Sequence, residues 1–157
     1  MATPNTVYPP HKSSIGLDAN IVMLIAYLGG SLLGFIPIVR YVAFAVPIVL
    51  FFVEKASPYV KFHAAQAIVL QLVGAVFSII FGILSAILSS CAASLDYSSA
   101  LGILTVIAIV GVISWIISIV LLVFEIICLV KSWKYECYKL PLFGGLAEKL
   151  AAKFPIV

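Results

Sequence analysis

Glu54-Lys-Ala-Ser-Pro-Tyr-Val-Lys-Phe-His-Ala-Ala-Gln-Ala67 is a polar, charge-bearing segment between two long apolar blocks. Upstream, Ile21 to Val39 carries no charge, and downstream Ala67 to Ser90 carries none. Each is long enough to cross the hydrocarbon core of a bilayer, which takes about 20 residues of helix. Within the segment, Ser57 followed by Pro58 is a helix start: a capping hydroxyl, then a proline whose missing N–H costs nothing in the first turn. Tyr59, Val60 and Phe62 alternate with Lys55, Lys61 and His63, a pattern that predicts an amphipathic turn or two in the membrane interface. No breaker separates this turn from the span that follows.

The whole chain agrees with a lipid solvent. It has 157 residues, of which 64% are hydrophobic and 10% charged, with a mean hydropathy of +1.27. Soluble domains carry about a quarter charged residues, and a soluble chain of this size could not bury so much apolar surface. The net charge of +3 is small. No basic cluster interleaves with aromatics, so no nucleic-acid partner is expected. Cys91, Cys128 and Cys137 are widely spaced, which predicts three free thiols and neither a metal site nor a cofactor site. No cleavage site of the secretory kind follows the first apolar run, so that run reads as a retained helix. Residues 1–18, with Pro4, Pro9 and Pro10, read as a flexible N-terminal tail.

Taken in order, the spans fall at about 20–37, 39–53, 64–90 and 100–130, followed by an amphipathic cytoplasmic tail over 131–157. Asp18 or Asn20 can cap the first span, and Ser98 or Ser99 the fourth. Between the first two, Pro37 and Arg40 interrupt the apolar run, and Pro47 interrupts the short stretch after it. A tight helical hairpin with Arg40 at its turn competes with one kinked span that buries Arg40. The cost of a charge at the bilayer centre, about 2.5–3.5 kcal/mol, favours the hairpin. In the tail, Leu146, Leu150 and Phe154 oppose Glu148, Lys149 and Lys153, the pattern of a short amphipathic helix on the membrane surface or under the bundle.

Small residues mark the helix-packing faces. Gly30 and Gly34 form a small-xxx-small pair in the first span. Gly74, Ser78 and Gly82 share one stripe with Gln71, Ser85 and Ser89, and Gly111 and Ser118 share another with Ser114, Trp115 and Glu125. Orientation follows from the basic residues. With four crossings, one side holds eight lysines and the other only Arg40. That bias predicts both termini in the cytoplasm, with the chain in a prokaryotic plasma membrane, or on the stromal or matrix side in an organelle.

Candidate chemistry is sparse. Glu125 lies inside the last span, where an ionised carboxylate is expensive, and by depth it is level with 66–71. The sharper reading is a polar cluster of Glu125 with His63, Gln66 and Gln71 that handles protons or ions. The plainer one is a hydrogen-bonded structural glutamate near the interface. No nucleophile–base pair and no phosphate-binding loop appears, so no catalytic residue is assigned and no enzyme is expected.

Three signatures carry a family resemblance: Ser13-Ser14-x-Gly16-Leu17-x-x-Asn20; Glu54-Lys55 with Val60-Lys61-Phe62-His63-Ala64-Ala65-Gln66-Ala67; and Tyr138-Lys139-Leu140-Pro141-Leu142-Phe143-Gly144. Together they resemble a group of small uncharacterised prokaryotic membrane proteins. That group is similar to the twenty-kilodalton membrane component of the chloroplast inner-envelope import translocon. The resemblance covers nearly the whole chain and implies four membrane helices. The segment around Pro37–Pro47 departs from the shorter prokaryotic pattern. The expectation is therefore an all-α integral membrane four-helix bundle with interfacial amphipathic helices. Its partners are the lipid bilayer and either a membrane protein or a second copy of itself. Its role is that of a non-enzymatic scaffold or accessory subunit of a membrane or protein-translocation complex. The competing reading is a small transporter or channel built around Glu125.

Overall fold

The computed structural model describes residues 5–33 and 44–155, without the side chains of 30–33. Gly34, Pro37 and Arg40, and the surroundings of Gly30, lie outside the described residues. The described chain forms five helices: α1 Ala19–Leu33, α2 Ala45–Val53, α3 Pro58–Ala93, α4 Tyr97–Trp133 and α5 Gly144–Lys153. It divides into two compact units, one of residues 1–71 with 124–157, the other of residues 72–123.

Two of the helices, α3 with 36 residues and α4 with 37, are long and apolar enough to cross a membrane. Both run further than the expected spans at 64–90 and 100–130. α3 starts where the sequence says: the Ser57 hydroxyl accepts the Val60 N–H at 3.2 Å, and Pro58 is the first helical residue. At the other end it continues through Cys91 and stops at Ala93. The expected Ser98 or Ser99 cap of α4 gives way to Asp96, whose carboxylate accepts the Ser99 N–H at 3.3 Å and the Ser98 hydroxyl. A charge at a helix N-terminus is favourable, and these hydrogen bonds hold the Asp96 carboxyl at about 2.

In the unit of residues 72–123 the large apolar side chains face outward. Ile79, Ile83 and Ile87 on α3, and Ile109, Trp115 and Ile116 on α4, are all more than half exposed. Exposed apolar surface on this scale suits lipid rather than water. The small residues divide here. A Cβ on Gly74 would touch Leu121 at 3.6 Å, while Gly82 and Gly111 face open space.

In the other unit the first turns of α3 are the centre of the core. Residues 57–70 are buried at all but two positions, so the polar side chains of this segment face the protein's own core. One hydrophobic cluster joins Val22, Met23 and Tyr27 of α1 to Tyr59, Val60 and Phe62 of α3, with Cys128 of α4, Cys137 and Leu140. A second joins Phe51 of α2 to Ala64, Ala65 and Val69 of α3 and Ala147 of α5. The C-terminal helix is thus part of the core on its Ala147 face. α1 packs on α2. The contact that fixes this pair is Gly29, where a Cβ would come within 3.0 Å of Val46. Residues 34–43, where the expected spans at 20–37 and 39–53 meet, lie outside the described residues.

Residues 5–18 are tied to the core, in place of the expected flexible tail. Val7 forms an antiparallel bridge with Glu136. The Asn5 N–H donates to the Cys137 carbonyl at 2.6 Å, the Cys137 N–H to Thr6 at 2.8 Å and the Tyr8 N–H to Tyr135 at 2.9 Å. The rings of Tyr8, His11 and Tyr135 surround that of Tyr59, at centroid distances of 5.6–6.0 Å.

Candidate functional site

The polar groups of the core are held at three places. At the first, the Glu54 carboxylate at the end of α2 binds the loop that precedes α1. It accepts the Ser13 hydroxyl, the Ser14 hydroxyl at 2.7 Å, the Ser14 N–H at 3.2 Å, and the Ala56 and Ser57 N–H groups at 2.9 and 2.8 Å. Burial alone pushes this carboxyl up. The donors from Ser13, Ser14, Ser57 and Ala56 more than offset that, leaving it below its ordinary value of 4.5. The loop 54–57 and the loop 13–17 are therefore one structure, and α1 and α2 leave from it and return to it.

At the second place, His11 Nδ1 donates to the Pro9 carbonyl at 2.8 Å, and Nε2 meets the Ser57 hydroxyl at 2.6 Å. A carbonyl can only accept, so Nδ1 carries the proton. In the neutral ring, Nε2 then accepts from Ser57, the same hydroxyl that caps α3.

The third place contains two of the four residues proposed as a polar cluster. His63 is fully buried. Its Nε2–H donates to the Glu136 carbonyl at 3.2 Å, and its Nδ1 meets the Tyr27 hydroxyl at 3.1 Å. Gln66, one turn further on, is also fully buried. Its amide nitrogen donates to the Tyr138 carbonyl at 3.1 Å and points at Cys128 Sγ at 3.3 Å, while its amide oxygen accepts the Leu140 N–H at 3.2 Å. Tyr59 donates to the Ser132 carbonyl at 2.7 Å. The side chains of this face of α3 thereby satisfy backbone groups of Ser132, Glu136, Tyr138 and Leu140, at the end of α4 and in the irregular segment after it, which would otherwise bury unpaired polar groups.

Glu125 lies one turn before Cys128 on α4 and is partly buried. Gln71 is partly buried, and its amide nitrogen has no hydrogen-bond partner among the described residues. His63 and Gln66 are thus joined through Tyr27 and Cys128, with Glu125 at the edge of that group and no contact recorded to Gln71. The sequence reading missed Glu54, Tyr27 and Cys128 as partners. The signal for Glu54 is its place beside Ser57-Pro58, since a carboxylate before a helix start has several N–H groups within reach.

Among the described residues, no three His, Cys, Asp or Glu side chains group as metal ligands. Gly144 completes the arrangement. A Cβ there would meet Lys139 Cγ at 2.5 Å, the Lys139 carbonyl carbon at 3.2 Å and Gln66 Oε1 at 3.3 Å. Only glycine lets α5 begin so close to the amide of Gln66.

Two long apolar helices, joined to a core whose polar side chains serve its own backbone, define a small helical membrane protein. Residues 18–146 match the magnetosome magnetite crystal formation protein family, MamF/MmsF, and the chain belongs to that family. It is also 30% identical over 138 residues to the UPF0132 membrane protein of Methanocaldococcus jannaschii, an alignment that covers 88% of this chain and 93% of that protein. No solved structure matches the chain.

Proposed function

We propose that this protein is a non-enzymatic membrane scaffold or accessory subunit that binds another membrane helix along α3 and α4. The observation that carries the reading is the exposure of Gly82 and Gly111, whose Cα atoms face open space on helices of membrane-spanning length. In lipid, close approach at small residues is a main source of helix association. Gly74 already meets Leu121 within the chain, which leaves the other two for a partner or a second copy. Ser78 and Ser118, exposed on the same helices, extend the two faces.

The test is purification of the full chain in mild detergent, beside the variants Gly82→Ile and Gly111→Ile. The native chain elutes with a partner or as an oligomer, and each variant loses it. A native chain that elutes alone as a monomer sinks the proposal.

Its narrower form, a subunit of a protein-translocation complex, rests on the resemblance at Phe62-His63-Ala64-x-Gln66 to the plastid component, which neither comparison extends. The family's description concerns magnetite crystal formation; for this chain, organising a membrane patch by helix association is the form such a role takes. Both termini are placed in the cytoplasm of a prokaryotic cell. The lysine bias supports this, and so does the Val7–Glu136 bridge, which pairs the segment before α1 with the segment after α4.

A second reading, a small transporter, is favoured by the unpartnered amide of Gln71 and by the proximity of Glu125 to Cys128. Proton or ion flux in liposomes that is lost in Glu125→Gln supports it; flux absent from the native chain removes it.

A further inference from the structure

Lys61 is a lysine with almost no exposure, at 8%, in the first turns of α3. Its ammonium lies over the Phe51 ring, 5.2 Å from the centroid. Among the described residues, no carboxylate is within ion-pair distance of it. An ammonium so far withdrawn from water needs more than a ring face, because desolvation of an unpaired charge costs several kcal/mol or more. The ring beneath it is the inner member of an aromatic group. Phe51 meets Phe52 at 5.3 Å and Phe154 at 5.9 Å, and Phe52 meets Phe154 at 5.6 Å. Phe52 is 56% exposed and Phe154 40%. Phe154 follows α5, and the outer face of that helix carries Lys149 and Lys153, both exposed and one turn apart. Neither of these lysines has a carboxylate partner among the described residues, and the neighbouring Glu148 is taken up by Lys139 at 2.5 Å.

We propose that this α2–α5 edge binds anionic phospholipid, with the headgroup phosphate at Lys61, Lys149 and Lys153 and the acyl region against Phe52 and Phe154. The charge complementarity is one-sided: three cations, none of them in an ion pair with a carboxylate among the described residues, and exposed aromatic rings of the kind that settle at headgroup depth. Lipid is the solvent of this family, so the ligand is present wherever the chain is. The site adds a lipid preference to the membrane setting and does not depend on the scaffold reading.

The experiment is native mass spectrometry of the partner-free, full-length chain, released from detergent micelles doped with equal amounts of phosphatidylglycerol and phosphatidylcholine. The native chain retains phosphatidylglycerol several-fold over phosphatidylcholine. Lys61→Met, which keeps an apolar stem over Phe51, lowers that ratio about fivefold, the attraction that one lysine near an anionic surface supplies. Lys134→Gln, which removes an exposed charge elsewhere, leaves the ratio unchanged. Equal retention of the two lipids overturns the proposal. So does a ratio that survives in a Lys61→Met chain with native helical circular dichroism, or one that falls equally in Lys134→Gln. If Lys61→Met does not fold, Lys149→Gln with Lys153→Gln, both at exposed positions, decides by the same criterion.

Discussion

Gln66 and Leu140, 74 residues apart, are joined by the Leu140 N–H donating to the Gln66 amide oxygen at 3.2 Å. The same amide donates to the Tyr138 carbonyl at 3.1 Å. One side chain thus pairs with residues i and i+2 of an extended segment, as a neighbouring strand would. Replacing it with Met keeps the length and removes both partners. Each buried polar group left unpaired costs about 1–3 kcal/mol, so Gln66→Met is expected to cost on the order of 3 kcal/mol. Thermal unfolding in detergent measures it, and a loss within error of zero refutes this role.

Gly144 and Gly145 are neighbours with opposite surroundings. A Cβ on Gly144 meets Lys139 and Gln66, whereas one on Gly145 meets nothing within 4 Å. Gly144→Val is expected to destabilise by about 1–3 kcal/mol through overpacking. Gly145→Ala, inside a helix with open space around it, is expected to stabilise by about 0.5–1 kcal/mol. Equal effects from the two substitutions contradict the geometry.

Glu54 gives the fold a pH dependence of definite sign. Its carboxyl lies below the ordinary 4.5 in the folded chain, so the unfolded state binds the proton more readily. The stabilisation is complete above 4.5 and is lost as the pH falls through the depressed folded value. Unfolding temperatures recorded from pH 7 down to pH 3 therefore stay level and then drop. In Glu54→Gln the drop is shallower, and a variant that falls as steeply as the native chain excludes Glu54 as its cause.

The three cysteines separate by reactivity. Cys91 is exposed, and Cys128 and Cys137 are buried. Burial, with the nearby Glu148 charge, pushes the Cys137 thiol up to about 12, so it holds almost no reactive thiolate at neutral pH. Maleimide at pH 7 is expected to add one label to the folded chain and three in dodecyl sulfate. An impermeant maleimide that reaches Cys91 in spheroplasts, while a tag on residue 1 stays protected, supports the cytoplasmic placement of the termini.

Much of this fold was legible in the sequence, but unevenly. The two long helices follow from hydropathy, and the start of α3 from Ser57-Pro58, because both signals are local. The setting of residues 57–70 was not legible. His63 and Gln66 carry the polarity of an interfacial helix, and nothing local shows that their partners are backbone groups some 70 residues away. The same holds for residues 5–18, where prolines and polar residues suggest a free tail and the anchoring strand lies at 135–137. Glycine spacing points to Gly30 and Gly34, whose surroundings lie outside the described residues; among those described, Gly29 meets Val46 of α2.

The antiparallel bridge between Val7 and Glu136 has a bearing on synthesis. A ribosome delivers residue 7 long before residue 136, so the N-terminal segment waits without its partner while both long helices enter the bilayer. Closure comes last, across a loop of nearly the whole chain, and only after the nascent chain has cleared the exit tunnel past residue 140. A chain cut after residue 134 keeps the Ser13, Ser14 and His11 contacts to Glu54 and Ser57, and is expected to keep α3 and α4 in the membrane while residues 5–8 become open to protease. Protection of that segment in the shortened chain rules out this order of assembly.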